Sequence, residues 1–123
     1  MKLEVGMYVR GKYYQYRGKI GKIIKNYNND LEIAYKDGIL KTNVGSFIDD
    51  NYDINGKQYK ASFDIIDILE KGDYVNGNEI YRINWDSLGL ILETTNYSKL
   101  REKDIKSIVT KEQFEQMAYK VGE

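Results

Sequence analysis

Leu69-Glu70-Lys71-Gly72-Asp73-Tyr74-Val75-Asn76-Gly77 repeats, 66 residues on, the opening Leu3-Glu4-Val5-Gly6-Met7-Tyr8-Val9-Arg10-Gly11. The shared pattern is Leu-Glu-x-Gly-x-Tyr-Val-x-Gly, six fixed positions in nine, and a chain of 123 residues gives little room for such a coincidence. Internal self-similarity of this kind marks one structural unit used twice. Each copy opens with a turn and a strand and continues as further short strands.

In the first copy, Lys19 to Tyr27 is an Ile-rich strand. Leu31, Ile33 and Tyr35 then alternate with Glu32, Ala34 and Lys36, the period of two of a half-buried strand. Asp37-Gly38, Asn55-Gly56 and Asn76-Gly77 lie between such runs and favour tight hairpins, because both residue types accept positive φ. Ser62 to Leu69 is a compact apolar bridge to the second copy. There, Glu79 to Trp85 and Leu88 to Thr94 flank Asp86-Ser87 as two strands, and Ile105 to Val109 is another. Thr110-Lys111-Glu112-Gln113 fits a capping box opening a short helix with Phe114 and Met117. With no proline, chain reversal rests on Gly, Asn and Asp. The reading is a mainly β chain of two tandem small SH3-like β-barrel repeats, residues 1–68 and 69–123, with a short helix near 111–118. Trp85 is expected to anchor the core and Phe114 to cover an open barrel end. No low-complexity linker separates the halves, so they are expected to pack together.

Composition narrows the chemistry. With 41% hydrophobic, 31% charged and 13% aromatic residues the chain is globular in type. Neither His nor Cys occurs, which removes the usual general base near neutral pH, the thiolate nucleophile and the standard zinc ligand sets. No phosphate-cradling Gly-rich loop and no nucleophile elbow is present. Asp49 to Gly56 superficially suggests a calcium loop, but counting from Asn51 puts Ser62 where a bidentate Glu is needed, so an acidic hairpin is the better reading. Asp64 and Asp67, three apart in an apolar context, fit turns or caps. The expectation is therefore a protein that is not an enzyme and uses no cofactor or metal. The first residues have no apolar signal core and no stretch approaches a membrane span, so a cytoplasmic location is the default.

Formal charge is zero but uneven. Residues 1–27 hold seven basic side chains against Glu4 alone, residues 28–98 carry −7, and the rest +1. Within the basic segment, Arg10, Lys12, Arg17 and Lys19 interleave with Tyr13, Tyr14 and Tyr16, and Lys22 follows. Cations that replace phosphate counterions, set among flat rings that stack on unpaired bases, suit nucleic acid. Tyr and Arg are equally the residues of protein hot spots. A third reading remains beside these: a solvated hairpin loop whose charges balance the acidic remainder.

Two family resemblances add to this. Gly6-x-x-Val9-x-Gly11 followed by Arg17-Gly18-x-Ile20-Gly21-x-Ile23-x-x-x-Tyr27 resembles a KOW-type or Tudor-like small barrel over residues 5–37. That resemblance implies a basic loop after the first strand and a close backbone approach at Gly21; Lys12 to Gln15 lengthens the loop beyond the family's commonest form. The segments Ser62 to Gly77 and Ser107 to Met117 resemble small, largely uncharacterised proteins of phages and prophages of low-GC Gram-positive bacteria. This second resemblance implies a mobile-element setting and no active-site residues. Together they lead to an accessory binding protein that inhibits a host defence complex, of the anti-CRISPR kind, by occluding a protein or nucleic-acid surface in the host bacterial cytoplasm. Its partner would be a host protein or ribonucleoprotein; the alternative is a KOW-like module that binds nucleic acid directly.

Overall fold

Gly6 and Gly72 occupy the same place in the two copies, and the backbone treats them alike. In the computed structural model, which describes residues 3–11, 17–50 and 60–117 with the side chains of 48–50 excepted, they have φ of 96° and 97°. The Gly6 amide donates to the Ile23 carbonyl at 2.8 Å, and the Gly72 amide to the Ile80 carbonyl at 2.9 Å. Ile23 and Ile80 return the bond to the Met7 and Asp73 carbonyls, each at 2.8 Å. A left-handed glycine here turns the chain so that the following Tyr-Val dipeptide can pair as a strand.

The chain divides into two compact units, Met1–Ile68 and Leu69–Glu123. The first contains β1 (Tyr8–Arg10), β2 (Ile20–Tyr27), β3 (Asp30–Tyr35), β4 (Gly38–Asn43), α1 (Val44–Asp50) and β5 (Lys60–Ser62), then a 3₁₀ turn at Ile65–Ile68. The second contains β6 (Tyr74–Val75), β7 (Asn78–Asp86), β8 (Gly89–Thr94), β9 (Lys99–Leu100), a 3₁₀ turn at Glu102–Asp104, β10 (Ile108–Val109) and α2 (Lys111–Met117). Strand order is β4-β3-β2-β1-β5 in one sheet and β10-β6-β7-β8-β9 in the other, antiparallel throughout. The two orders are one topology: the motif strand pairs with both the next and the last strand of its unit. The duplication seen in nine residues thus extends to the strand order of both sheets.

Finer features repeat as well. Each second strand carries an irregularity at the same place, between Ile23 and Lys25 in β2 and between Ile80 and Arg82 in β7. Just beyond it, Lys25 pairs with Glu32 across the ladder at 3.4 Å, and Arg82 pairs with Glu93. The mainly β expectation holds, but closure into barrels is not seen. Among the described residues, edge strands β4 and β5 are not bonded to each other, nor are β9 and β10.

The two cores differ. Leu3, Met7, Val9, Ile23, Leu31, Ile33 and Phe47 form the apolar core of the first unit. In the second, the buried apolar residues are Leu69, Val75, Ile80 and Leu92, joined by buried Asp73, Glu93, Thr94 and Thr110. Buried polar groups are tolerated when hydrogen-bonded, and these are. Asp73 accepts from the Glu70 amide at 2.6 Å and from the Lys111 amide at 2.9 Å, so one carboxylate holds the motif turn and the start of α2. Thr110 and Gln113 form the expected capping box, Gln113 Oε1 accepting from the Thr110 amide at 3.0 Å and Thr110 Oγ1 from the Gln113 amide at 3.2 Å.

Hairpins form where Asx residues allow. Asn76-Gly77 joins β6 to β7 with φ of 53° and 85°. Asn28-Asn29 joins β2 to β3 with φ of 48° and 68°, a type I′ pattern without glycine. Gly21 lies where β2 crosses its neighbours closely: a Cβ built there would stand 2.6 Å from Ile33 Cγ2 and 2.8 Å from Tyr35 Cε1.

Candidate binding surfaces

Among the described residues, the basic segment that begins in β1 does not present its charges as one surface. Arg10 is 1% exposed and donates from Nη1 to the Ile68 carbonyl at 3.0 Å, at the end of the 3₁₀ turn. A guanidinium held there completes the fold, because a buried cation is tolerable only with such partners. Lys12, Tyr13, Tyr14 and Tyr16 lie outside the described residues, as does Asn55-Gly56. Gly11 and Arg17, which flank the first four in sequence, form a bridge. Lys19 pairs with Asp37 at 3.3 Å, and the Lys22 ammonium stands 5.4 Å over the Tyr8 ring, within cation–π range. Asp64 and Asp67 serve a turn: the Ser62 hydroxyl donates to Asp67 at 2.7 Å and accepts from the Asp64 amide at 3.1 Å.

The largest departure from the sequence reading is Trp85. It is 74% exposed, and Leu88 at the adjoining turn is 80% exposed. The register explains this. Ile83 faces Leu92 and Trp85 faces Leu90, so Trp85 lies on the same side of the hairpin as buried Leu92. However, β7 and β8 run on past their neighbours. β6 pairs only with Asn78 and Glu79, and β9 only with Leu92 and Glu93. The apolar side of the hairpin therefore continues beyond the elements that would cover it. The equivalent hairpin of the first unit stops at the Tyr27–Asp30 pair, where the second adds Trp85–Leu90 and Asp86–Gly89.

This overhang is braced. Arg101 Nη1 and Nη2 donate to Asp86 Oδ1 and Oδ2 at 3.1 and 2.5 Å, a two-point pairing. Asp86 Oδ1 also accepts from the Leu88 amide at 2.8 Å, folding the turn on itself. These bonds hold the Asp86 carboxyl below its ordinary range, the Arg101 bond contributing most. At the root of the hairpin, the Arg82 guanidinium likewise holds Glu93 low. The largest cause of each shift is an ion pair, between the two hairpin strands for Glu93 and with the segment after β9 for Asp86.

Elsewhere, Phe114 stacks on Tyr74 at 4.3 Å between centroids, 18° from parallel, so α2 lies on its own sheet through an aromatic pair and does not close a barrel. An open depression of about 800 Å³ lies beside β9, with Lys99, Lys103 and Lys106 among its lining residues. Among the described residues no group of His, Cys, Asp and Glu could hold a metal ion, and no helix is long and apolar enough to cross a membrane. Comparison with protein-family models, with curated proteins and with solved structures gives no match.

Proposed function

We propose that the protein is a non-catalytic binding module that docks on a protein partner through the tip of the β7–β8 hairpin. Trp85 and Leu88, 74% and 80% exposed on a hairpin held by the two-point Arg101–Asp86 pair, carry this reading. Tryptophan is among the residues enriched at interface hot spots, because it brings large contact area with little conformational freedom to lose. The fitting occupant is an apolar pocket on the partner, entered by the indole and the leucine together. The small-barrel resemblance belongs to the same proposal: both units share one strand order, and open sheets of this size serve as frames for loops and hairpins that recognise.

The finer reading takes the partner to be a host defence complex, occluded by the bound module, as the likeness to phage accessory proteins implies. Affinity capture from a low-GC Gram-positive host is run with the wild-type chain and with Trp85→Ala/Leu88→Ser. A partner retained by the former and lost by the latter, with restored phage plating on a defended host, supports it. Equal capture by both proteins removes the hairpin from the interface. Trp85-dependent self-association without any other partner replaces the docking reading with homo-oligomerisation.

A further inference from the structure

We propose that the depression beside β9 binds the backbone of single-stranded nucleic acid. Its lining brings together the Lys99, Lys103 and Lys106 side chains with the hydroxyl residues Ser98 and Ser107. None of the three ammonium groups makes an ion pair among the described residues, and all three lysines are exposed. Glu93, opposite Lys99 in the ladder, is already engaged by Arg82. The one carboxylate among the described lining residues, Asp104, accepts from the Arg101 amide at 3.0 Å and leaves three cations against one anion in that lining.

The lysines are set on a fixed frame. Asn76 donates from Nδ2 to the Asp104 carbonyl at 2.8 Å, and its Oδ1 accepts from the Lys106 and Ser107 amides at 2.8 and 3.1 Å. One side chain thus pins the segment bearing two of the three cations, which lowers the ordering cost of binding. Ammonium groups are compact point charges suited to phosphate, and hydroxyls donate to its free oxygens. Leu100 is the only apolar residue among the described residues that line the depression.

Tyr97 turns the choice toward a single strand. It precedes Ser98, is 93% exposed and has φ of 65°, a left-handed conformation that bulky residues rarely adopt. The turn is stabilised around it by the Tyr97 amide donating to the Thr94 carbonyl at 2.9 Å. An exposed ring one residue along the chain from the lining residue Ser98 suits the pairing in which a ring stacks an unpaired base while lysines follow the phosphates. A duplex offers no such free base. This site is independent of the Trp85 hairpin reading and distinct from the basic segment after β1.

The test is fluorescence anisotropy with a labelled mixed-sequence single strand and the matching duplex, titrated at several salt concentrations. Three phosphate contacts give a log–log salt slope of about −2 for a single strand, hence about 20-fold weaker binding at 200 than at 50 mM salt. Lys99→Gln/Lys103→Gln/Lys106→Gln is expected to flatten the slope by about 2, and Lys103→Glu alone to weaken binding in the same direction. Tyr97→Asn, which keeps the left-handed turn, is expected to weaken binding about 5-fold or more without changing the slope. Arg17→Gln/Lys19→Gln and Trp85→Ala leave the contribution of this site intact. An unchanged slope in the triple variant overturns the site. Preference for the duplex, or equal competition by poly-glutamate, overturns the assignment of the ligand.

Discussion

Replacing Trp85 by alanine separates a core tryptophan from a docking one. A buried tryptophan truncated to alanine costs about 3–5 kcal/mol. Here about a quarter of the side chain is hidden, because 74% of the residue is exposed. Of the 150–250 Å² that a tryptophan can bury, that leaves about 50 Å², or roughly 1–1.5 kcal/mol at about 25 cal/mol per Å². Urea unfolding followed by far-UV circular dichroism measures it, since Trp85 is the only tryptophan and fluorescence is lost with it. In the wild-type chain the same residue reports directly. Its emission is expected at the wavelength of hydrated indole, readily quenched by iodide, and to shift to the blue when a partner covers the hairpin. Partner affinity in Trp85→Ala should fall by about 30-fold or more, the 2 kcal/mol scale of a hot spot. A stability loss above about 3 kcal/mol, with quencher-protected emission in the free protein, would show the indole packed inside and refute the docking argument.

Other expectations test the frame. Gly21→Ala should destabilise the first unit by about 1–2 kcal/mol, because the new methyl meets Ile33 and Tyr35 inside 3 Å and overpacking outweighs the usual gain of alanine over glycine in a strand; equal or higher stability in a chemical melt would show that Ile33 and Tyr35 yield freely. Asp73→Ala should cost about 2–4 kcal/mol by leaving the Glu70 and Lys111 amides without their acceptor, read as a lower urea midpoint with less helical signal. For pH, the folded carboxyls of Asp86 and Glu93 lie below their unfolded values. The unfolded chain therefore takes up protons first as pH falls. Their contribution is complete above the ordinary carboxylate range, about 4, and is lost as pH falls through the folded values. Asp86→Asn/Glu93→Gln should show a flatter acid limb than the wild type, and an identical limb would remove these pairs from the account.

How much of this was legible in sequence depended on whether the deciding interaction is local. The Asn76-Gly77 hairpin and the Thr110–Gln113 cap were readable because each lies within a few residues and is set by backbone chemistry. Gly21 was readable as a close approach. Arg10 was not, because its partner is a carbonyl 58 residues away, which no local pattern records. Trp85 was misread for a related reason. The ladder register, shifted between Ile80 and Arg82, places it on the side of buried Leu92, but whether a core continues under it depends on the length of β6 and β9. A signal was present all the same: Trp85, Leu88 and Leu90 surround Asp86-Ser87, and hairpin tips are ordinarily polar.

The duplication supplies its own control for deciding which features serve the fold. What both units keep includes the left-handed glycine, the Tyr-Val strand, the strand irregularity and the ion pair beyond it; all are local requirements of one sheet topology. What only one unit has cannot be such a requirement, since the other folds the same sheet without it. The second unit alone extends its hairpin past its neighbours, arms the extension with Trp85 and Leu88, and anchors it through Arg101. It also surrenders core for this arrangement, placing Asp73 where the first unit has Met7, and Thr94 where it has Ile33. An exposed apolar extension on the unit with fewer buried apolar residues is unfavourable for the isolated molecule. Water exposure at Trp85 is relieved when another surface covers it, and the asymmetry between two otherwise matching sheets is the observation on which the docking proposal rests.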